Sequence, residues 1–127
     1  MAEEKKTHVL LVEDDTFLAN IYKTKFEMEG YKISVSSNGE IGLKDVKSKK
    51  PDIILLDILL PKMDGFAVLE KLKKDAEIKD IPVILLTNLG QKDDVEKGLE
   101  MGAVDYLIKA HFKPSEVVDK VKKVLGS

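Results

Sequence analysis

Five residues able to do phosphate and metal chemistry close four short apolar runs in this chain. His8-Val9-Leu10-Leu11-Val12 runs into Glu13-Asp14-Asp15, and Ile53-Ile54-Leu55-Leu56 runs into Asp57. Val83-Ile84-Leu85-Leu86 runs into Thr87, and Asp105-Tyr106-Leu107-Ile108 runs into Lys109. A continuous apolar run bounded by breakers, such as the Pro51-Asp52 before Ile53, reads as a strand buried on both faces of a parallel sheet. Its last residue emerges at the carboxyl edge, where open α/β sheets bind ligands. An acid there is a ligand, a nucleophile or only a turn residue, and position alone does not choose. The combination does. Three carboxylates gathered at one edge raise one another's pKa values unless positive charge sits among them. Hard oxygen ligands suit Mg2+, which is usually held by one or two carboxylates and then contacts a phosphate. Lys109 adds a point charge for that phosphate and Thr87 a hydroxyl. Asp57 is then placed to attack phosphorus and form an aspartyl phosphate, a transfer that asks mainly for positioning and neutralised charge.

The elements needed to hold these residues follow from the patterning between them. After Asp15 or Thr16, either able to cap a helix, apolar residues fall at Phe17, Leu18, Ile21, Tyr22 and Phe26, and Gly30 ends that helix. Ile33-Ser34-Val35-Ser36 is a short alternating strand, followed by a weakly patterned helix from Asn38-Gly39 to before Pro51. Pro61 and Asp64-Gly65 punctuate a loop after Asp57, and Phe66, Leu69 and Leu72 mark the next helix. Val95, Leu99 and Met101 form a sparse face that Gly102 closes; Pro114 opens a last helix lined by Val117, Val118, Val121, Val124 and Leu125. Five alternations of strand and helix predict an α/β fold, a doubly wound parallel sheet with helices on both faces. The first and last helices carry the fullest apolar stripes. The fourth carries the thinnest and is expected to be the most exposed and mobile.

Composition narrows the field. The 127 residues suit one domain, here expected as residues 7–127 behind a disordered arm, residues 1–6. There is no cysteine, and His8 and His111 stand too far apart for zinc spacing. A net charge of -2, with 21 basic and 23 acidic residues, argues against direct nucleic-acid binding by this domain. No run reaches a membrane span, and the charged start has no apolar segment behind it, so a cytoplasmic protein is expected.

Val-Glu-Asp-Asp at 12–15, Asp-Ile-Leu-Leu-Pro-Lys-Met-Asp-Gly at 57–65, Leu-Thr at 86–87 and Gly-Ala-Val-Asp-Tyr-Leu-Ile-Lys at 102–109 resemble the CheY-like receiver domain of two-component response regulators. The resemblance covers almost the whole chain. It implies a flavodoxin-like (βα)5 three-layer sandwich with strand order 2-1-3-4-5. It also implies that Asp57 is the phosphoacceptor, taking its phosphoryl group from the phosphohistidine of a histidine kinase or phosphotransfer protein. Glu13, Asp14, Asp57 and the Leu59 carbonyl would hold Mg2+, while Thr87, Asn88 and Lys109 would bind the phosphoryl group. Thr87 and Tyr106 would act as the switch, re-shaping the surface of helix four, strand five and helix five. A downstream effector protein or output domain would read that surface, and phosphorylation would promote a homodimer. Such a domain is a signalling switch that catalyses only its own phosphorylation and dephosphorylation.

Two positions depart from the family pattern. Ala110 follows Lys109 where proline with a cis bond is common, and a non-proline cis bond costs about 3 kcal/mol, so a trans bond is expected. Asn88 follows Thr87 where a small residue is usual. Apolar Leu59 and Leu89 leave nothing to orient a water, which predicts slow self-dephosphorylation. The competing readings are a scaffold that no longer accepts phosphate and, against Leu59, a Mg2+-dependent aspartyl-phosphate phosphatase. A flavodoxin-type cofactor carrier is opposed by Glu13-Asp14-Asp15, which would repel an anion.

Overall fold

A computed structural model describes residues 6–126, so the expected arm lies, apart from Lys6, outside the described residues. The element order is β1 (His8–Val12), α1 (Thr16–Met28), β2 (Lys32–Ser36), α2 (Gly39–Lys49), β3 (Ile53–Leu56), α3 (Gly65–Lys74), β4 (Val83–Thr87), α4 (Lys92–Glu100), β5 (Asp105–Ile108) and α5 (Pro114–Leu125). A single 3-10 turn, Lys109–His111, separates β5 from α5. The five strands form one parallel sheet in the order β2-β1-β3-β4-β5. This is the flavodoxin-like order that the resemblance implied.

The strand period of two explains the layers. Val9, Leu11, Ile53, Leu55, Ile84, Leu86 and Leu107 face one side, where α1 and α5 supply Tyr22, Phe26, Val117, Val118 and Val121. Leu10, Val12, Ile54, Leu56, Val83 and Leu85 face the other, against Val46 of α2 and Val68, Leu69 and Leu72 of α3. β1, β3 and β4 are therefore apolar at every position except the terminal His8 and Thr87, because both of their faces are covered.

The helix ends follow local chemistry. Asp15, Asn38 and Asp64 each accept a backbone N–H three residues on, at 2.9–3.0 Å, and so start α1, α2 and α3. Asp15 is thus the cap, and Thr16 the first helical residue. In α4 only Gly98 is buried, matching its thin stripe. The stripe of α1 needs correction: Phe17 and Ile21 are 74% and 37% exposed, and only Ala19, Tyr22 and Phe26 are buried. The sheet covers a narrower arc of that helix than its apolar residues span. No described helix is long and apolar enough to cross a membrane.

Candidate functional site

All the strand-end residues singled out above meet at the carboxyl edge. Glu13 and Asp57 follow the last residues of adjacent strands, since Val12 pairs with Leu56. Both are buried, at 2% and 5% exposure, whereas Asp14 faces solvent. Glu13, Asp14 and Asp57 each present a carboxylate oxygen, and these atoms lie within 4.8 Å of one another.

Lys109 starts the turn beyond β5 rather than ending the strand, yet its ammonium reaches across the end of β4. It donates to Asp57 Oδ2 at 2.6 Å and to Glu13 Oε1. Asp57 Oδ1 accepts the Leu59 N–H at 3.2 Å, and Glu13 Oε2 accepts the Asp15 N–H at 3.1 Å. Burial pushes the Glu13 carboxyl above its usual range, and the Lys109 hydrogen bond only partly opposes this. Burial works against the Lys109 charge too, but the bonds to Asp57 and Glu13 outweigh it and hold the ammonium above its ordinary pKa. Three carboxylates against one ammonium leave the cluster short of positive charge. Its donor set is all oxygen, which fits a hard cation such as Mg2+.

The main chain of Leu89 is held at both its N–H and its carbonyl. Its N–H donates to Thr87 Oγ1 at 3.2 Å, and its carbonyl accepts the Tyr106 hydroxyl. Asn88, between them, turns its side-chain oxygen to the Ala110 N–H at 3.2 Å. No peptide bond among the described residues is cis, so Lys109-Ala110 is trans as expected. His111 is exposed and His8 bonds Ser34 at 2.7 Å, leaving neither in the cluster.

Two glycines that the sequence reading used only as punctuation are also tight packing points. A Cβ on Gly39 would sit 1.8 Å from the Met63 carbonyl oxygen, and one on Gly65 would sit 2.3 Å from that of Asp57. The loop after β3, which carries Leu59, is thus pressed between two backbones that admit no side chain. Asn38-Gly39 signalled only a helix start; nothing local pointed to a contact with residue 63. An open groove of about 560 Å³, lined by Leu59, Asp64, Phe66 and Leu89 among others, includes Asp14 of the cluster. A more apolar hollow between α1 and the start of α5, lined by Phe17, Ile21, Met28 and Pro114, includes none of the cluster.

Tyr106 yields a pH prediction. Burial, then the negative charges of Asp94 and Asp57, pushes its phenol up to about 12. Burial also raises Tyr22 and Tyr31. A pKa raised by folding favours the protonated form, so this stability is complete below the unfolded value of 10.0 and fades as pH climbs toward about 12. Alkaline denaturation followed by phenolate absorbance should show folded tyrosines silent near pH 10. Tyr106→Phe should flatten the loss of stability above that pH.

This sheet with Glu13, Asp14 and Asp57 clustered at its carboxyl edge defines a flavodoxin-like α/β domain. The chain belongs to the response regulator receiver domain family, whose model matches residues 9–122. It is 39% identical to the probable transcriptional regulator ycf27 of Guillardia theta over 96% of this chain and 46% of that protein. It is 38% identical to the DNA-binding dual master transcriptional regulator RpaA of Synechocystis over 92% of this chain and 48% of that one. The chain thus spans about half the length of these curated relatives. A putative response regulator from Chloroflexus aurantiacus superimposes with a TM-score of 0.89 at 32% identity, covering 97% of this chain and all of that one.

Proposed function

We propose that this domain is a phosphorylation-dependent switch, with Asp57 as the phosphoacceptor. The observation that carries the reading is the Lys109 ammonium shared by buried Asp57 and Glu13, with Asp14 beside them at the mouth of the groove. The free energy of burying two carboxylates next to one amine is hard to explain as fold stabilisation, because such groups seldom repay their desolvation. It is readily explained as preorganisation for a dianionic group and a cation.

Glu13, Asp14, Asp57 and the Leu59 carbonyl are the residues that would hold Mg2+, whose charge would offset that of the incoming phosphoryl oxygens. Asp57 attacks phosphorus on a donor phosphohistidine; the new O–P bond forms as the P–N bond breaks, and the imidazole nitrogen keeps that electron pair. Lys109 stays paired with Asp57 and takes up a phosphoryl oxygen, and the Asn88 N–H donates to another. Thr87 leaves the Leu89 N–H to donate to the phosphoryl group. The Leu89 main chain, freed at its N–H, no longer fixes Tyr106 at its carbonyl, and the α4-β5-α5 surface changes shape. The donor is a histidine kinase or phosphotransfer protein in the cytoplasm. The reader is an effector protein or an output domain, in keeping with transcriptional regulators among the relatives. Homodimerisation through the same surface is part of this reading.

The test is intact mass after incubation with acetyl phosphate and Mg2+. The native chain should gain one phosphoryl group, and Asp57→Asn or omission of the metal should reduce the gain at least about a hundredfold. A gain that survives Asp57→Asn, or none in the native chain, overturns the proposal.

A further inference from the structure

We infer that the Asn88 side chain positions Lys109, acting through the main chain of Ala110; this rests on Lys109 being the cation of the proposed site. Lys109 must project over the end of β4 to reach Asp57 on β3 and Glu13 on β1, so a small rotation of its backbone would be amplified along four methylenes. On the strand side its backbone is fixed, because Ile108 pairs with Thr87 at the last rung of the β4-β5 ladder. On the far side the chain leaves the sheet in the turn Lys109–His111, closed by a long Phe112 N–H to Lys109 carbonyl bond of 3.3 Å. Among the described residues, the remaining side-chain tie on this turn's backbone is the Ala110 N–H to Asn88 Oδ1 bond.

Asn88 directly follows Thr87, so its carboxamide adds one rung beyond the last paired residues, made by a side chain instead of a carbonyl. The bond requires both residues that stood out in the sequence. Proline at 110 would offer no N–H, and alanine or glycine at 88 no acceptor. The same placement joins the turn that aims the cation to the residue that would sense the phosphoryl group.

The experiment is NMR on the metal-free 15N-labelled chain, paired with phosphorylation kinetics. The Lys109 ammonium is only 9% exposed and bonded to two acids, so it should give its own slowly exchanging signal in the native chain. In Asn88→Ala that signal should broaden away, and Ala110 amide exchange should quicken about tenfold. The rate with acetyl phosphate at saturating Mg2+ should fall about tenfold, with half-saturating Mg2+ unchanged. Asn88→Asp, which keeps the accepting oxygen, should restore the ammonium signal. An ammonium signal and Ala110 protection unchanged in Asn88→Ala would overturn the inference, as would their loss in Asn88→Asp as well. A native chain that takes no phosphoryl group would count against the proposed function, while the two metal-free readings would still decide the role of Asn88.

Discussion

Lys109→Met should destabilise the metal-free domain by about 3 kcal/mol at neutral pH, the scale for removing one partner of a buried ionic group. The substitution keeps the side chain's length and packing but leaves Glu13 and Asp57 facing each other without their shared ammonium. The loss should depend on pH in a defined direction. Glu13 already has a raised pKa from burial, and it loses the lysine that opposed the rise. A carboxyl whose folded pKa exceeds its unfolded value binds more protons in the native state, so its contribution is full below the unfolded 4.5 and falls as pH rises through the folded pKa. Urea melts of native and variant should therefore lie furthest apart near pH 7 and converge as pH falls toward 4.5. Parallel curves at all pH values would show that the ammonium is not what keeps Glu13 ionised. The result would also separate two effects of the lysine, since a variant that is refolded by acid yet takes up no phosphoryl group has lost charge neutralisation, not its fold.

Gly39→Ala should cost about 2–3 kcal/mol, unusually much for an alanine at the start of a helix. Backbone conformation is not the cause, as Gly39 is not among the residues with positive φ. The obstacle is the Met63 carbonyl, 1.8 Å from the new methyl, with the Met63 carbonyl carbon at 2.7 Å. A carbonyl cannot swing aside as a side-chain tip can, so the loop between β3 and α3 must lift. That loop carries the Leu59 carbonyl proposed as a cation ligand, and Gly65 presses on Asp57 from its far end. Calorimetric titration of Mg2+ into Gly39→Ala should therefore show weaker binding even though residue 39 offers no ligand. The informative control is Gly30→Ala. Gly30 has φ 90 but open space around it, so its substitution should strain the backbone and leave Mg2+ affinity untouched.

The sheet and its edge residues were legible because their signals are local. An apolar run long enough for one strand and then a polar residue places that residue at the carboxyl edge whatever the rest of the chain does. Glu13, Asp14, Asp57, Thr87 and Lys109 were found this way, and the structure brings them to one edge. The exposure of Phe17 and Ile21 was not legible, since periodicity marks an apolar arc and says nothing about how much of it a curved sheet covers. Nor were the pressed loop at Gly39, the Leu89 main chain held by Thr87 and Tyr106, or the Asn88-Ala110 bond. Apart from the local Thr87–Leu89 bond, each joins positions far apart in the chain through a contact one atom wide. Asn88 and Ala110 drew notice separately as departures from a pattern, and only their proximity makes them a pair.

The strand order has a mechanical meaning for the proposed switch. Asp57 follows the middle strand, while Tyr106 lies in β5 and Lys109 directly follows it, and β5 has the sheet on one side only. A phosphoryl group bound at the hub would therefore be felt at the rim through side chains such as Lys109, which passes over the end of β4, with no rung of the ladder having to open. The floor stays still while the furniture moves. In the proposed switch, losing the phosphoryl group would return the domain to its starting shape by a few side-chain movements, so the signal could be written and erased many times without any of the fold being rebuilt.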